Sequence, residues 1–195
     1  MSKSRLEAFS DGVIAILITI MVLELTVPHG TGWEALRPLV PVLLAYVLSF
    51  VVIGIYWNNH HHMLHAAERV NGRILWANLH LLFWLSLVPF TTAWMGENGF
   101  ARLPTAAYGV VLLMCGLSYP ILQAAIIAHH GPTSKLATAV RGGRKEKLSL
   151  ALYAAAIPLA FAHQAISLTI YVTVALMWLV PDKRIESALD GPAGK

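Results

Sequence analysis

Residues 5–28 read R-L-E-A-F-S-D-G-V-I-A-I-L-I-T-I-M-V-L-E-L-T-V-P. At a helical rise of ~1.5 Å per residue this stretch covers roughly 35 Å, enough to cross a hydrocarbon core of about 30 Å. It nevertheless carries Phe9-Ser10-Asp11-Gly12 near its start and Glu24 near its end. A carboxylate at the centre of an apolar span costs about 2.5–3.5 kcal/mol to insert, which a helix that merely anchors a chain in lipid has no reason to bear. The stretch therefore predicts a membrane helix whose polar residues face protein or water, lining a pathway or keying other helices together.

The rest of the chain fits a membrane protein. Of its 195 residues, 57% are hydrophobic and 12% charged, about half the charged share of an ordinary soluble domain. The formal charge of +4 suits cationic loops at a lipid surface and gives no reason to invoke nucleic acid. A single cysteine, Cys115, rules out an intrachain disulfide. Lys3 and Arg5 precede an apolar run as in a secretion signal. Val27-Pro28-His29 stands where a small-x-small cleavage site is needed, so the segment is expected to be retained.

Six apolar spans follow one another, at about 6–27, 35–59, 74–94, 105–129, 147–162 and 165–180. The last two are short and separated by His163-Gln164, which predicts a tight helical hairpin. Pro89, Pro120 and Pro158 fall inside spans, where neighbouring groups can satisfy the carbonyls they free. The expected organisation is an all-α, polytopic six-helix transmembrane domain over 1–181 and a polar cytoplasmic tail over 182–195. With six spans both termini share a side. That side holds twelve Lys and Arg residues: Lys3, Arg5, Arg69, Arg73, Lys135, Arg141, Arg144, Lys145, Lys147, Lys183, Arg184 and Lys195. The other holds Arg37 and Arg102. A bias of twelve to two predicts cytoplasmic termini.

On a helical wheel Ile16, Ile20 and Leu23 fall within about 60° of one another, with Thr19 at the edge of the stripe and Gly12 one turn below it. Asp11 points roughly opposite. The first helix thus has an apolar stripe edged by a hydroxyl and a carboxylate face aimed elsewhere. Periodicity alone favours packing against lipid or core, since most apolar stripes pack.

A second polar cluster is Tyr56-Trp57-Asn58-Asn59-His60-His61-His62, followed by His65, and the third span adds Trp76, Asn78 and His80. Asn78 and His80 in mid-span require partners, because an unsatisfied polar group in lipid costs several kcal/mol. The second span ends and the third begins on the side where Arg5, Ser10 and Asp11 lie, so topology predicts a polar knot joining spans one, two and three. His61 and His65 have the i, i+4 spacing of a zinc pair, but H-E-x-x-H and cysteine ligands are missing. A membrane metalloprotein built on His60–His65 and a small cation transporter using Asp11 and Glu24 remain alternatives. No nucleophile–base pair stands out, so no enzymatic activity and no cofactor are expected.

The pattern R-x-x-x-F-S-D-G-V-x-A-I-x-x-T from Arg5 to Thr19 resembles the signature of the transmembrane protein 175 family of potassium-permeable channels. The resemblance continues in Tyr56-Trp57-x-x-His60-His61, in Leu75-Trp76-x-Asn78-Leu79 and in Leu85-x-Leu87-x-Pro89-Phe90-x-Thr92-Ala93. It implies six helices per subunit and a homotetramer whose first helices line a central pore in a prokaryotic plasma (inner) membrane. By the same resemblance Ile16 is the apolar constriction, continued by Ile20 and Leu23, and Thr19 is its neighbouring hydroxyl. Arg5, Phe9, Ser10 and Asp11 would lock the first helix to the next two through Trp57, His60 or His61, and Asn78. The wheel places Arg5 near the stripe rather than the Asp11 face, so this assignment requires the helix to start later or Arg5 to bend away. No family role passes to His62, His65 or His80. The chain lacks the T-V-G-Y-G carbonyl filter, so a modest preference for potassium is expected from a dewetted apolar ring beside a hydroxyl ring, with K+ as the transient permeant ion.

Overall fold

A computed structural model of the chain describes residues 2–134, 136–137 and 143–179. The expected tail over 182–195, the last residue of the sixth span and the loop cations Lys135 and Arg141 lie outside the described residues. The described residues form helices and no strands: α1 (Lys3–Leu23), α2 (Trp33–Leu36), a 3-10 turn at Arg37–Leu39, α3 (Val40–His65), α4 (Gly72–Ser86), α5 (Val88–Glu97), α6 (Arg102–His130), α7 (Arg144–Ala162) and α8 (Gln164–Leu179). α2, the 3-10 turn and α3 run on as one rod, and α4 and α5 make another, giving six spans in all. Four of these, Lys3–Leu23, Trp33–His65, Gly72–Glu97 and Arg102–His130, are long and apolar enough to cross a membrane. α8 is apolar but has 16 described residues, and α7 begins with the charged run Arg144-Lys145-Glu146-Lys147.

Two boundaries differ from the sequence reading. α1 stops at Leu23, where Leu25 N–H turns back to Val22 O (3.2 Å). The apolar residues up to Val27 therefore belong to the connection. α3 continues past Asn59 to His65, because the histidines stack along its surface instead of breaking it. The His61 ring lies on His65 with centroids 6.2 Å apart and planes 17° apart.

The third span is interrupted at Leu87, two residues before Pro89. Pro89 sits in the first turn of α5, where a missing N–H costs nothing. At the break Leu87 N–H turns back to Trp84 O (3.2 Å), and Ser86 Oγ donates to Phe83 O (2.7 Å). Thr91 Oγ1 donates to Leu87 O (3.1 Å), and Thr92 Oγ1 donates to Val88 O (2.7 Å). Because Thr92 has spent its proton, Ser49 Oγ must donate to it (2.7 Å), and Tyr108 OH must then donate to Ser49 (2.9 Å). This buried relay ties α5 to α3 and α6.

Cross-contacts show the rods alternating in direction. Lys3 Nζ at the start of α1 donates to His65 O at the end of α3 (3.0 Å). The loop after α3 docks on the end of α6, where Glu68 and Arg69 N–H both donate to His130 Nε2 (3.0 and 3.1 Å). Tyr171 OH of α8 donates to Thr105 O near the start of α6 (3.0 Å). Two of these approaches require glycine. A Cβ on Gly96 would lie 2.8 Å from Val42 Cα, and one on Gly109 would collide with the Tyr171 hydroxyl. The core they enclose is apolar, with Ile53, Leu81, Leu85, Met95, Leu112 and Tyr171 fully buried.

Candidate functional site

α1 packs on α3, α4 and α5 with one face and leaves the other uncovered. Leu6, Ser10, Ile14, Leu17 and Met21 recur at helical spacing and are buried. The opposite face carries Gly12, Ile16, Thr19, Ile20 and Leu23, all exposed. Ile16 is 57% exposed and Leu23 80%. In a chain that buries so many aliphatic side chains, an uncovered isoleucine stripe beside an anchored face is a surface awaiting another environment: lipid, a neighbouring copy or a pore. Gly12 adds space at one end, with nothing within 4 Å of where its Cβ would stand.

The anchor is a directed chain of hydrogen bonds. Asn78 Nδ2 donates to Ser10 Oγ (3.0 Å), and Ser10 Oγ donates to Leu6 O (2.8 Å). His60 Nε2 lies 2.6 Å from Asn78 Oδ1. A carboxamide oxygen can only accept, so the His60 proton sits on Nε2. The order His60→Asn78→Ser10→Leu6 spans α3, α4 and α1. Ser10, His60 and Asn78 are each no more than 1% exposed. Beside it, at the rim, Trp57 Nε1–H donates to Asp11 Oδ1 (3.1 Å), and the His61 ring stacks on Trp57 (centroids 6.1 Å, planes 30°).

Of the residues grouped from sequence, the fold thus gathers Ser10, Asp11, Trp57, His60, His61 and Asn78. It does not bring Arg5 or Phe9 to them. α1 is already helical at Lys3, so Arg5 and Phe9 keep the azimuth of Ile16 and are exposed. Arg5 makes no hydrogen bond or ion pair among the described residues. Glu24 caps the end of α1 and is exposed, away from Asp11. His80 finds its partner within α4, accepting Trp84 Nε1–H on Nε2 (3.1 Å). Among the described residues no three His, Cys, Asp or Glu side chains converge as metal ligands.

Thr19 Oγ1 donates to Ile16 O of its own helix (2.9 Å). The bond commits the hydroxyl proton and leaves the oxygen lone pairs on the exposed side. A cation needs lone pairs rather than protons, so the back-bond and an ion-facing role are compatible.

The Ser49–Thr92–Tyr108 relay was not anticipated from sequence. Its members lie 43 and 59 residues apart, and a hydroxyl in an apolar span gives no signal of its partner.

The family model described as endosomal/lysosomal potassium channel TMEM175 matches residues 5–89. A potassium channel of Chryseobacterium sp. (strain P1-3) is 53% identical over 189 residues, which cover 97% of this chain and 98% of that one. The endosomal/lysosomal proton channel TMEM175 of Homo sapiens is 33% identical over 184 residues, 83% of this chain but 36% of the human protein. The crystal structure of a lysosomal potassium-selective channel TMEM175 homolog from Chamaesiphon minutus superimposes with a TM-score of 0.78 at 28% identity, covering 92% of this chain and 97% of that chain.

Proposed function

Because the chain belongs to the TMEM175 family, we propose that it is a potassium channel and not an enzyme, assembled from four copies with α1 of each lining a central pore. The observation that carries this reading is the two-faced α1, anchored through Ser10 and Asn78 on one side and presenting Ile16, Ile20 and Leu23 uncovered on the other. Four such stripes facing one axis form stacked apolar rings, with Ile16 the narrowest. An apolar ring makes a passing ion shed water, which potassium gives up more readily than sodium, and it can close by dewetting. The Thr19 oxygens stand one turn farther along and replace part of the lost hydration. Selectivity is modest, since no carbonyl filter lines the path. The cation bias supports a plasma (inner) membrane orientation with both termini cytoplasmic.

Recording single channels of the purified chain in planar bilayers under a potassium/sodium gradient tests the reading. A reversal potential displaced toward the potassium value is expected. Saturable or proton-coupled flux without unitary currents would replace the channel with a transporter. The human relative's name makes protons the second ion to test, by imposing a pH gradient in symmetrical potassium.

A further inference from the structure

At the basic end of the bundle, the first half of α4 and the last half of α6 line a groove of about 980 Å³. Arg73, Trp76 and His80 border it from α4, and Ala125, Ala128 and His129 from α6. Arg73 is exposed and makes no hydrogen bond or ion pair among the described residues. Trp76 is 75% exposed, although the helix around it is one of the membrane spans. His80, two turns inward of Arg73, is held within α4 by Trp84 Nε1–H, which donates to its Nε2 (3.1 Å). Ala77, Ile121, Ala125 and Ala128 give the groove an apolar wall.

A cation and an amphipathic indole at the mouth of an apolar trough match a lipid: charge at the headgroup level, Trp at the interface, hydrocarbon beneath. Charge decides the class. Among the described residues this end of the bundle carries Lys3, Arg5, Arg69, Arg73, Arg144, Lys145 and Lys147 against Glu7, Asp11, Glu68 and Glu146. An anionic headgroup complements this net positive charge. We propose that this groove binds an anionic phospholipid, its phosphate at Arg73 and an acyl chain running inward past the Trp76 ring and Ala125 toward Ile121. The site rests on the bundle lying in a membrane, not on which ion the chain conducts.

The test uses the full chain in phosphatidylcholine nanodiscs containing a variable fraction of phosphatidylglycerol or phosphatidylcholine brominated on its acyl chains. The Trp76 share of fluorescence quenching is the difference between wild type and Trp76→Phe. One basic side chain at an anionic surface is worth about a fivefold change in partition. Brominated phosphatidylglycerol should therefore quench Trp76 half-maximally at about a fivefold lower mole fraction than the zwitterionic lipid, and Arg73→Gln should erase the difference without moving the phosphatidylcholine curve. Coincident curves in the wild type, a preference that survives Arg73→Gln, or a Trp76 that neither lipid reaches would each overturn the site. Should Arg73→Gln fail to assemble, native mass spectrometry of the wild type decides: phosphatidylglycerol adducts must outlast phosphatidylcholine adducts as collision energy rises. Potassium currents from the same samples separate the two readings, since lost lipid preference with intact currents refutes the groove alone.

Discussion

Asn78 is the one residue whose replacement tests the anchor of α1 directly. Asn78→Leu keeps the volume and removes two hydrogen bonds, those from His60 and to Ser10. The costs differ. Ser10 still donates to Leu6 O, so it loses only an incoming proton on one lone pair. His60 Nε2–H is left unpaired at 1% exposure, and a stranded buried donor costs about 1–3 kcal/mol. Hydrogen bonds between membrane helices average about 0.6 kcal/mol and reach about 1.7, because the unfolded helices also find partners in the bilayer. The expected destabilisation of Asn78→Leu is therefore about 2 kcal/mol, with most of it at His60. His60→Phe in the same background removes the stranded donor, so the double variant should fall short of the summed single losses by about 1 kcal/mol or more. Unfolding in mixed micelles of rising dodecyl sulfate fraction, followed by loss of helical signal, gives the three free energies. Strict additivity would refute the directed chain from His60 through Asn78 to Ser10 and leave Asn78 as an ordinary packing residue.

Asp11→Ala should lower stability by about 1–2 kcal/mol, because its partner is the neutral Trp57 N–H and the site is only half-buried; a variant with wild-type stability and assembly but lost selectivity would show that Asp11 acts on ions instead. Ile16→Asn should raise leak current and weaken discrimination among monovalent cations, since a hydrated ring no longer dewets; unchanged conductance and reversal potential would remove Ile16 from the narrowest ring. Thr19→Val should reduce the potassium-over-sodium preference while Thr19→Ser retains it; equal reversal potentials for all three proteins would leave the bond to Ile16 O as the whole role of the hydroxyl.

The spans were legible because lipid admits few ways to satisfy a backbone, so hydropathy alone locates the rods. Their internal detail was not. The interruption at Leu87 is met by Leu87 N–H turning to Trp84 O and by Ser86 Oγ donating to Phe83 O, and nothing in the local sequence requires the chain to break there rather than at Pro120 or Pro158. For the anchor, depth did the work: a carboxamide in mid-span needs partners, and the antiparallel order left α1 and the end of α3 as the sources. Depth does not give azimuth. Ser10 rather than Asp11 meets Asn78, because 100° per residue separates neighbours that share a level; the wheel already sets Arg5 on the stripe side, and there it stays. The need for Gly96 and Gly109 was likewise invisible, since each is set by a helix distant in sequence.

Pinning α1 at Ser10 fixes where it can pivot. The distance from Ser10 to Ile16 along the helix is about 9 Å and to Leu23 about 20 Å, at ~1.5 Å per residue. Any tilt about that fulcrum carries the Leu23 end roughly twice as far sideways as Ile16, while Asp11 barely moves. In the proposed assembly a set of such levers has a built-in gearing: a displacement at the far tip becomes one about half as large at Ile16. The end beside Trp57 acts as the bearing, and a force applied at the tip acts at Ile16 with about a two-to-one mechanical advantage.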